Sequence, residues 1–336
     1  MSSAEEIKTE INFIASKINQ FILSNVSGSP AHLYDASLHY IKSGGKRIRP
    51  FLSVKSCQLF GGVMEKVIPY ASSVELVHNF TLIHDDIMDN DNVRHSVSSV
   101  HKQFGVPVAI LSGDVLFSKA FQIISLYGER LGLPSESLIK MMNLLSSSCI
   151  EICEGQALDI KMSNDEDFSS KDDYIKMIEK KTASLFKVSC EIGALSSSNC
   201  SQMDIENLSN YGKKIGIAFQ LIDDLIGIYG DPKITGKAVG NDIREGKKTL
   251  PILLAIQSLD SADKNKLNDI FGEKNASDES VKEIVNKIAL LGIDKDVRSV
   301  AQDYIEDAFG VLDKYDESNP LLSLKNSAKY IVERGL

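Results

Sequence analysis

The chain has 336 residues, 43% of them hydrophobic, which is enough material to bury a large core. A formal net charge of −9 argues against a nucleic-acid partner, whose phosphates require a basic surface. The five cysteines are an odd number without a CxxC pair, which indicates a cytoplasmic protein with free thiols rather than a disulfide framework.

The first predicted element is an amphipathic helix at the N-terminus. Its apolar residues recur at helical spacing, at Ile7, Ile11, Ile14, Ile18, Phe21 and Ile22. The segment is acidic and mixed, unlike a secretory signal, and no uninterrupted apolar run of about 18 residues is found along the chain. We therefore expect no integral membrane segment.

The rest of the chain also has mainly helical periodicity. In the apolar stripe that begins at Leu138, we expect Cys149 and Cys153 to pack in the core, and strand-like alternation is hardly found. Segments rich in turn-forming residues lie at 24–30, 42–50, 60–62, 132–137, 162–170 and 230–237. None is long enough to link independent domains, so the sequence predicts one all-α domain over residues 1–336.

The segment HDDIMDND at 84–91 follows an apolar run and is expected near the C-terminal part of a helix. At about 100° per residue, Asp85, Asp86 and Asp89 share one face within a single turn. Carboxylates that are so close repel each other unless cations neutralise them, and their oxygens suit Mg²⁺. The alternative for this segment alone is a solvated acidic surface.

A second pair, Asp223 and Asp224, lies late in another apolar helix, in the segment FQLIDDLIGIYGD. Two such faces can oppose each other across a cavity. Because Mg²⁺ usually joins a few carboxylates to substrate phosphate oxygens, two acidic faces predict a diphosphate bridged between them by metal.

Basic residues in or near glycine-marked loops and the aspartate segments are candidates to complete such a site. They are Lys46, Arg47, Arg49, Arg94, Lys181, Lys237, Lys247 and Lys248. Arginine can clamp a phosphate through two parallel hydrogen bonds. Each of these residues alone is more often a surface charge, so only the whole set supports phosphate binding.

Six ordered motifs carry a family resemblance: GGKRIRP, ELVHNFTLIHDDIMD, GQALD, KTASL, FQLIDDLIG and GNDIREGKKT, between Gly44 and Thr249. The chain resembles the trans-isoprenyl diphosphate synthases, or polyprenyl synthetases, and in motif is closest to archaeal-type geranylgeranyl diphosphate synthases. The resemblance implies a bundle of antiparallel helices around a deep central cavity, usually a homodimer. It also implies Mg²⁺-dependent head-to-tail condensation of isopentenyl diphosphate with dimethylallyl, geranyl or farnesyl diphosphate.

The resemblance also implies residue roles. The metal-binding positions are Asp85, Asp86, Asp89, Asp223 and Asp224. The positions that hold isopentenyl diphosphate are Lys46, Arg49 and His78, and those around the allylic diphosphate are Arg94, Lys181, Lys237 and Lys247. The polar groups that line the reacting centre beside Lys181 are Gln156, Asp159, Thr182 and Gln220.

Two positions depart from the family pattern. His95 stands where many members have a second arginine for isopentenyl diphosphate, so we expect this substrate to bind more tightly as the pH falls and the imidazole becomes charged. Gly227 stands in the position of a third aspartate. Asp231 is one turn further on, but Gly230 and Pro232 predict that the helix ends before it.

Phe80 matches the bulky residue that blocks the growing chain in this family, and it is followed by Thr81. Val77 and Val74 lie at steps of three residues, a rise of about 4.5 Å on a helix and close to one isoprene unit. This arrangement resembles enzymes that make geranylgeranyl diphosphate.

Three alternatives remain at this stage. The first is a different product, farnesyl diphosphate or a longer polyprenyl diphosphate. A non-catalytic regulatory subunit that binds prenyl diphosphates is supported only by His95 and Gly227. Cyclising terpene synthases also use aspartate-rich helices, but they need no isopentenyl site, and the early GGKRIRP motif argues against them.

Overall fold

The computed structural model describes residues 3–94, 96–165, 170–197, 199–230 and 239–333. The proposed site residues His95 and Lys237, and also Asp231, lie outside these ranges. The chain forms two compact units. Unit 1 consists of Met1–Cys149, Leu185–Gly212 and Val311–Ser327, and unit 2 consists of Ile150–Ser184, Lys213–Gly310 and Ala328–Leu336.

Long helices make up most of both units, so the predicted all-α class is confirmed. The first eight are α1 (Ser3–Asn25), α2 (Ala31–Ser37), α3 (His39–Ser43), α4 (Ile48–Leu59), α5 (Met64–Met88), α6 (Val100–Phe104), α7 (Val106–Arg130) and α8 (Ser135–Asn164). The next five are α9 (Lys171–Ile178), α10 (Ser184–Leu195), α11 (Gln202–Tyr229), α12 (Asn241–Glu245) and α13 (Leu250–Ser258). The last four are α14 (Ser261–Ile270), α15 (Asp278–Leu290), α16 (Ile293–Leu312) and α17 (Asn319–Glu333).

Within the described ranges, a π-helical turn and a two-stranded hairpin differ from an α-helix, and each carries candidate site residues. A π-helical turn, Glu179–Ala183, joins α9 to α10. Strands β1 (Val93–Arg94) and β2 (Val97–Ser98) pair antiparallel, with Arg94 opposite Val97. This short hairpin follows the first aspartate segment, and Arg94 on its first strand contacts Asp86.

The core of unit 1 is built around α5. Helix α5 packs most extensively against α7, and it also contacts α4 and α1. The isoleucines of the predicted stripe on α1, Ile7, Ile11, Ile14, Ile18 and Ile22, are at most 3% exposed, whereas Phe21 of the same stripe is partly exposed. The helical period therefore predicted both the element and the face that it buries.

The predicted core role holds for only one of the two cysteines on α8. Cys149 is buried, whereas Cys153 is exposed, so its assignment to the core was wrong. The neighbouring stripe residue Ile152 is 8% exposed, so Cys153 lies just outside the buried face of the helix. All five cysteines are free thiols.

Helix α7 is long and apolar enough to cross a membrane by length and composition alone, with a mean hydropathy of 1.4 over an 18-residue window. Core helices of other proteins meet the same criterion, and 39% of this window is buried. Large apolar side chains remain exposed along the helix, at Val106, Ile110, Leu111 and Leu126. The helix therefore has one packed face and one apolar face in contact with solvent.

Candidate active site

In unit 1, the GGKRIRP segment forms a loop followed by the first turn of α4. Gly44 and Gly45 have φ angles of 113° and 136°, which favour glycine, and Lys46 next to them is exposed. Arg49 Nη1 lies 3.2 Å from His78 Nε2, and the Arg49 guanidinium lies 4.5 Å from the centre of the Phe186 ring. The structure thus brings Arg49 and His78 together, close to the loop that carries Lys46.

Arg47 in the same segment does not point to solvent as a phosphate-binding cation would. Its side chain is 3% exposed, and Nη1 donates to Glu75 Oε1 at 2.9 Å. Nε donates to Asn19 Oδ1 at 2.9 Å, and Nη2 donates to the Ile41 carbonyl at 3.1 Å. The interpretation of Arg47 as a site cation is therefore wrong, and this residue anchors the loop in the core.

The first aspartate segment lies at the C-terminal end of α5, as predicted, and Asp89 is the residue that caps it. Asp85 and Asp89 are partly exposed, whereas Asp86 is fully buried. Arg94 Nε donates to Asp86 Oδ1 at 2.6 Å, and the Tyr40 hydroxyl donates to Asp86 Oδ2. The three carboxylates therefore differ in environment, although they share one helix end.

This helix end is electrostatically unfavourable for carboxylates. The C-terminal end of a helix carries partial negative charge, which disfavours anions and favours cations. Burial also raises the pKa of Asp86, against the opposing effects of the Arg94 charge and the Tyr40 hydrogen bond. A cation at Asp85 and Asp89 would relieve both the helix dipole and the mutual repulsion.

The predicted chain-length residues lie on α5 in unit 1. Val74 and Val77 are completely buried, Phe80 and Thr81 are partly exposed, and Thr81 donates to the His78 carbonyl at 2.8 Å.

Phe80 belongs to an aromatic cluster that sequence spacing did not predict. Its ring centre lies 4.8 Å from that of His84 and 5.4 Å from that of Phe117 on α7, and Phe117 lies 5.1 Å from Phe121. The signal for Phe117 was absent from the motifs because this contact joins two different helices.

In unit 2, the GQALD motif on α8 packs closely against the π-helical turn that carries the start of the KTASL motif. A Cβ atom on Gly155 would lie 2.6 Å from Lys181 Cα, so only glycine allows α8 to lie this close to the π-helical turn. Lys181 Nζ lies 2.5 Å from Asp159 Oδ2. π-helical turns are frequent at functional sites, and this one carries both Lys181 and Thr182.

A chain of hydrogen bonds connects the predicted polar residues of unit 2. Thr182 Oγ1 donates to Gln220 Oε1 at 2.8 Å, and Gln220 Nε2 donates to Asp224 Oδ1 at 2.8 Å. The Tyr174 hydroxyl donates to the other oxygen of Asp224. Gln156 is 7% exposed, and its side-chain oxygen has no hydrogen-bond partner in the described part of the chain.

The two aspartates of the second pair also differ in exposure. Asp223 is exposed, whereas Asp224 is 6% exposed. Burial raises the pKa of Asp224 well above its usual value, and the charges of Asp242 and Asp223 add to the effect against the Tyr174 and Gln220 hydrogen bonds. The pair therefore presents one accessible carboxylate and one that the protein holds.

The Asp242 carboxylate lies next to Gly227, the position at which a third aspartate is missing. A Cβ atom on Gly227 would lie 2.6 Å from Asp242 Oδ1 and would overlap the whole carboxyl group. Asp242 is 7% exposed and comes from the GNDIREGKKT motif at the start of α12. Glycine at 227 is therefore a spatial requirement of this carboxylate, which motif comparison alone did not reveal.

The two lysines of the GNDIREGKKT motif, Lys247 and Lys248, differ in exposure. Lys247 is partly exposed, and its Nζ lies 2.6 Å from Glu245 Oε2. Lys248 is 8% exposed, and its Nζ donates to the Asp165 carbonyl. Lys247 is thus the more accessible cation of the pair.

The donor set fits a hard cation. Within the described ranges, no three His, Cys, Asp or Glu side chains form a complete metal cage. The accessible ligands are carboxylate oxygens, and Mg²⁺ typically combines a few such groups with water and substrate phosphate oxygens. The aspartate pairs therefore suit a metal that arrives with a phosphorylated substrate.

Comparison with known proteins gives a consistent family assignment. The family model described as polyprenyl synthetase matches residues 30–288. The short chain isoprenyl diphosphate synthase of Methanocaldococcus jannaschii is 44% identical over 75% of this chain and 75% of its own length. The geranylgeranyl diphosphate synthase of Sulfolobus acidocaldarius is 38% identical over 96% of this chain and 97% of its own.

Other relatives differ in product name. The geranylfarnesyl diphosphate synthase of Aeropyrum pernix is 38% identical over 94% of this chain and 99% of its own. The structure of the Pyrococcus horikoshii geranylgeranyl pyrophosphate synthetase is 36% identical, with a TM-score of 0.89 over 98% of this chain and 99% of its own. A geranylgeranyl pyrophosphate synthase from Corynebacterium glutamicum, complexed with isoprenyl diphosphate and magnesium, is 28% identical, with a TM-score of 0.86 over 98% and 99%.

Proposed function

Because this chain belongs to the polyprenyl synthetase family and is a trans-prenyltransferase, we propose that it condenses isopentenyl diphosphate with an allylic diphosphate to form geranylgeranyl diphosphate. The observation that carries the proposal is the pair of aspartate motifs, one in each unit. Each motif presents accessible carboxylate beside a buried carboxylate that the protein holds in place. This arrangement suits metal and diphosphate, and it appears together with the basic residues of the GGKRIRP, KTASL and GNDIREGKKT motifs.

Mg²⁺ is the proposed cofactor. In unit 1 the residues that would hold it are Asp85, Asp86 and Asp89, and in unit 2 they are Asp223 and Asp224. The oxygen-only donor set supports magnesium over softer metals. When bound, Mg²⁺ supplies stabilisation of the negative charge that develops on the departing diphosphate.

The basic residues bind and orient the two diphosphates. Lys46, Arg49 and His78 hold isopentenyl diphosphate, which agrees with the contact between Arg49 and His78. His95 is an additional candidate for this substrate by sequence. The residues proposed for the allylic diphosphate are Arg94, Lys181, Lys237 and Lys247.

The polar residues of unit 2 are proposed to stabilise the allylic cation without reacting with it. The buried side-chain oxygen of Gln156 is a neutral dipole, and the Thr182 hydroxyl donates a hydrogen bond to Gln220. Asp159 fixes Lys181 through their ion pair. The double bond of isopentenyl diphosphate attacks the cation, and the released diphosphate accepts the proton that is lost, so no side-chain nucleophile is needed.

We expect Phe80→Ala to lengthen the product by at least one isoprene unit, because Phe80 is the proposed end of the product column. Phe117→Ala should also lengthen it, since the two rings are in contact. Chain-length chromatography of the products measures both effects. Phe13→Ala is the control because Phe13 is an exposed residue on α1. An unchanged product from active Phe80→Ala and Phe117→Ala enzymes would show that another wall sets the length.

A homodimer is proposed as the assembled form. The exposed apolar face of α7 supports it, because large apolar patches on a protein surface commonly form interfaces. Sedimentation of the purified chain measures the assembly directly, and a charged substitution such as Leu111→Glu should shift it toward monomer.

We place the enzyme in the cytoplasm. Five free cysteines, two of which are not buried, suit a reducing compartment.

The test of function is incubation of the purified chain with Mg²⁺, labelled isopentenyl diphosphate and each of three primers: dimethylallyl, geranyl and farnesyl diphosphate. We expect geranylgeranyl diphosphate from an active enzyme. A farnesyl or geranylfarnesyl product would correct the chain length, and the latter corresponds to the name of the Aeropyrum pernix relative. Absence of turnover with retained prenyl-diphosphate binding would favour the regulatory-subunit alternative.

A further inference from the structure

In both aspartate pairs, the second carboxylate lies against a buried tyrosine hydroxyl. In unit 1 the tyrosine is Tyr40 on α3, and in unit 2 it is Tyr174 on α9. Both side chains are completely buried. The tyrosines precede their aspartates by 46 and 50 residues, so neither contact belongs to a local motif.

The Asp86 carboxylate in unit 1 is fixed through both oxygens. Tyr40 donates to Oδ2 and at the same time accepts from the Val100 amide at 3.1 Å, so the hydroxyl is itself held by the backbone of α6. Arg94 donates to Oδ1 at 2.6 Å. With a donor on each oxygen, Asp86 cannot rotate without breaking a hydrogen bond.

The Asp224 carboxylate in unit 2 is fixed in the same way. Tyr174 donates to Oδ2, and Gln220 donates to Oδ1 at 2.8 Å. Tyr174 is placed at the start of α9, whose first turn is capped by Ser170, with Oγ accepting from the Asp173 amide at 3.1 Å. Two different parts of the chain thus form the same arrangement, in which a carboxylate accepts from a tyrosine hydroxyl and from a side-chain nitrogen.

Two adjacent carboxylates on one helix need a fixed orientation. Asp85 and Asp86, like Asp223 and Asp224, are neighbours whose charges repel, and each accessible carboxylate faces solvent while its neighbour is buried. Both tyrosine hydroxyls act as hydrogen-bond donors to these carboxylates. A second carboxylate with a fixed orientation keeps its charge in one place beside the accessible carboxylate.

We propose that Tyr40 and Tyr174 are positioning residues that orient the second carboxylate of each aspartate pair for metal and diphosphate binding. The inference rests on the proposed function, because it assigns these tyrosines to the metal sites of that reaction. Groups that orient metal ligands commonly change metal affinity or activity by about 10–100-fold when they are removed.

The experiment uses the full chain with Tyr40→Phe and Tyr174→Phe, each of which removes one oxygen and keeps the ring. Tyr70→Phe is the matched control, because Tyr70 is 1% exposed and its hydroxyl has no hydrogen-bond partner in the ranges that the structure describes. The binding readout is the dissociation constant of Mn²⁺ in the presence of inorganic diphosphate, measured by calorimetry. Thermal unfolding, kcat and the KM for isopentenyl diphosphate are measured on the same samples.

We expect about tenfold weaker Mn²⁺ binding and a lower kcat in both tyrosine variants, with KM for isopentenyl diphosphate and the Tyr70→Phe control unchanged. Loss of thermal stability with unchanged Mn²⁺ affinity would overturn the inference, since the tyrosines would then be only structural. If one variant does not fold, the other decides, because each tyrosine contacts a different aspartate. A wild-type chain that binds no Mn²⁺ with diphosphate would contradict the proposed function itself, whereas equal binding by wild type and variants contradicts only the tyrosine role.

Discussion

Glu75→Gln is expected to lower the free energy of unfolding by about 3–5 kcal/mol, because it leaves the buried Arg47 guanidinium without its counter-charge. The two side chains are 3% and 2% exposed, so water cannot replace the lost partner. Glu75 Oε1 also accepts from Asn79 Nδ2 at 3.0 Å, so the substitution disturbs a network rather than a single contact. Urea unfolding of the two proteins measures the difference.

The ion pair between Lys42 and Asp35 is the matched control for this prediction. It also joins a lysine or arginine to a carboxylate in unit 1, but its side chains are 50% and 61% exposed. We expect Asp35→Asn to change the free energy of unfolding by less than about 1 kcal/mol, because solvent screens exposed pairs. Equal effects of Glu75→Gln and Asp35→Asn would show that burial does not strengthen the dependence on Glu75.

The same substitution has a functional consequence for the loop that carries Lys46. Arg47 lies between Lys46 and Arg49, and it adopts a left-handed φ of 51°, which costs energy in a residue with a side chain. Its three hydrogen-bonded nitrogens hold this conformation. Protein that remains folded after Glu75→Gln should therefore have a raised KM for isopentenyl diphosphate.

The sequence predicted the helices and the motif positions well, because both depend on local patterns. The isoleucine stripe of α1 and the position of Asp85 near the end of α5 follow from residues within a few turns. The all-α class follows from the same periodicity. Properties that depend on the spacing of neighbouring residues were therefore accessible before the fold was known.

Contacts between residues that are distant in the sequence could not be predicted in this way. Arg47 was grouped with Lys46 and Arg49 because the three are adjacent in sequence, yet its partner Glu75 is 28 residues away. Phe117 contacts Phe80 only because α5 packs on α7. A motif shows which residue types are present, whereas burial and pairing depend on the elements that pack against it.

Gly227→Asp, which introduces the aspartate found in many family members, is expected to reduce kcat by roughly 10–100-fold rather than to improve it. A side chain at 227 would occupy the space of the Asp242 carboxylate, and the added charge would lie near Asp224, whose pKa is already raised by burial and by the charge of Asp242. Steady-state kinetics at saturating Mg²⁺ and substrate measure the effect. Wild-type activity in Gly227→Asp would show that Asp242 can move away without loss.

Alanine variants separate the steric part of this effect from the charge. Gly310 lies on α16, and a Cβ atom there would meet no other atom within 4 Å, so Gly310→Ala should stabilise the helix by about 0.5–1 kcal/mol. Gly227→Ala should instead destabilise the protein, because its methyl group would overlap Asp242. The double variant Gly227→Asp with Asp242→Ala removes the overlap and keeps the number of carboxylates, so we expect it to regain part of the lost activity. Higher activity in the double variant than in Gly227→Asp alone would show that Gly227 and Asp242 together take the place of the usual third aspartate.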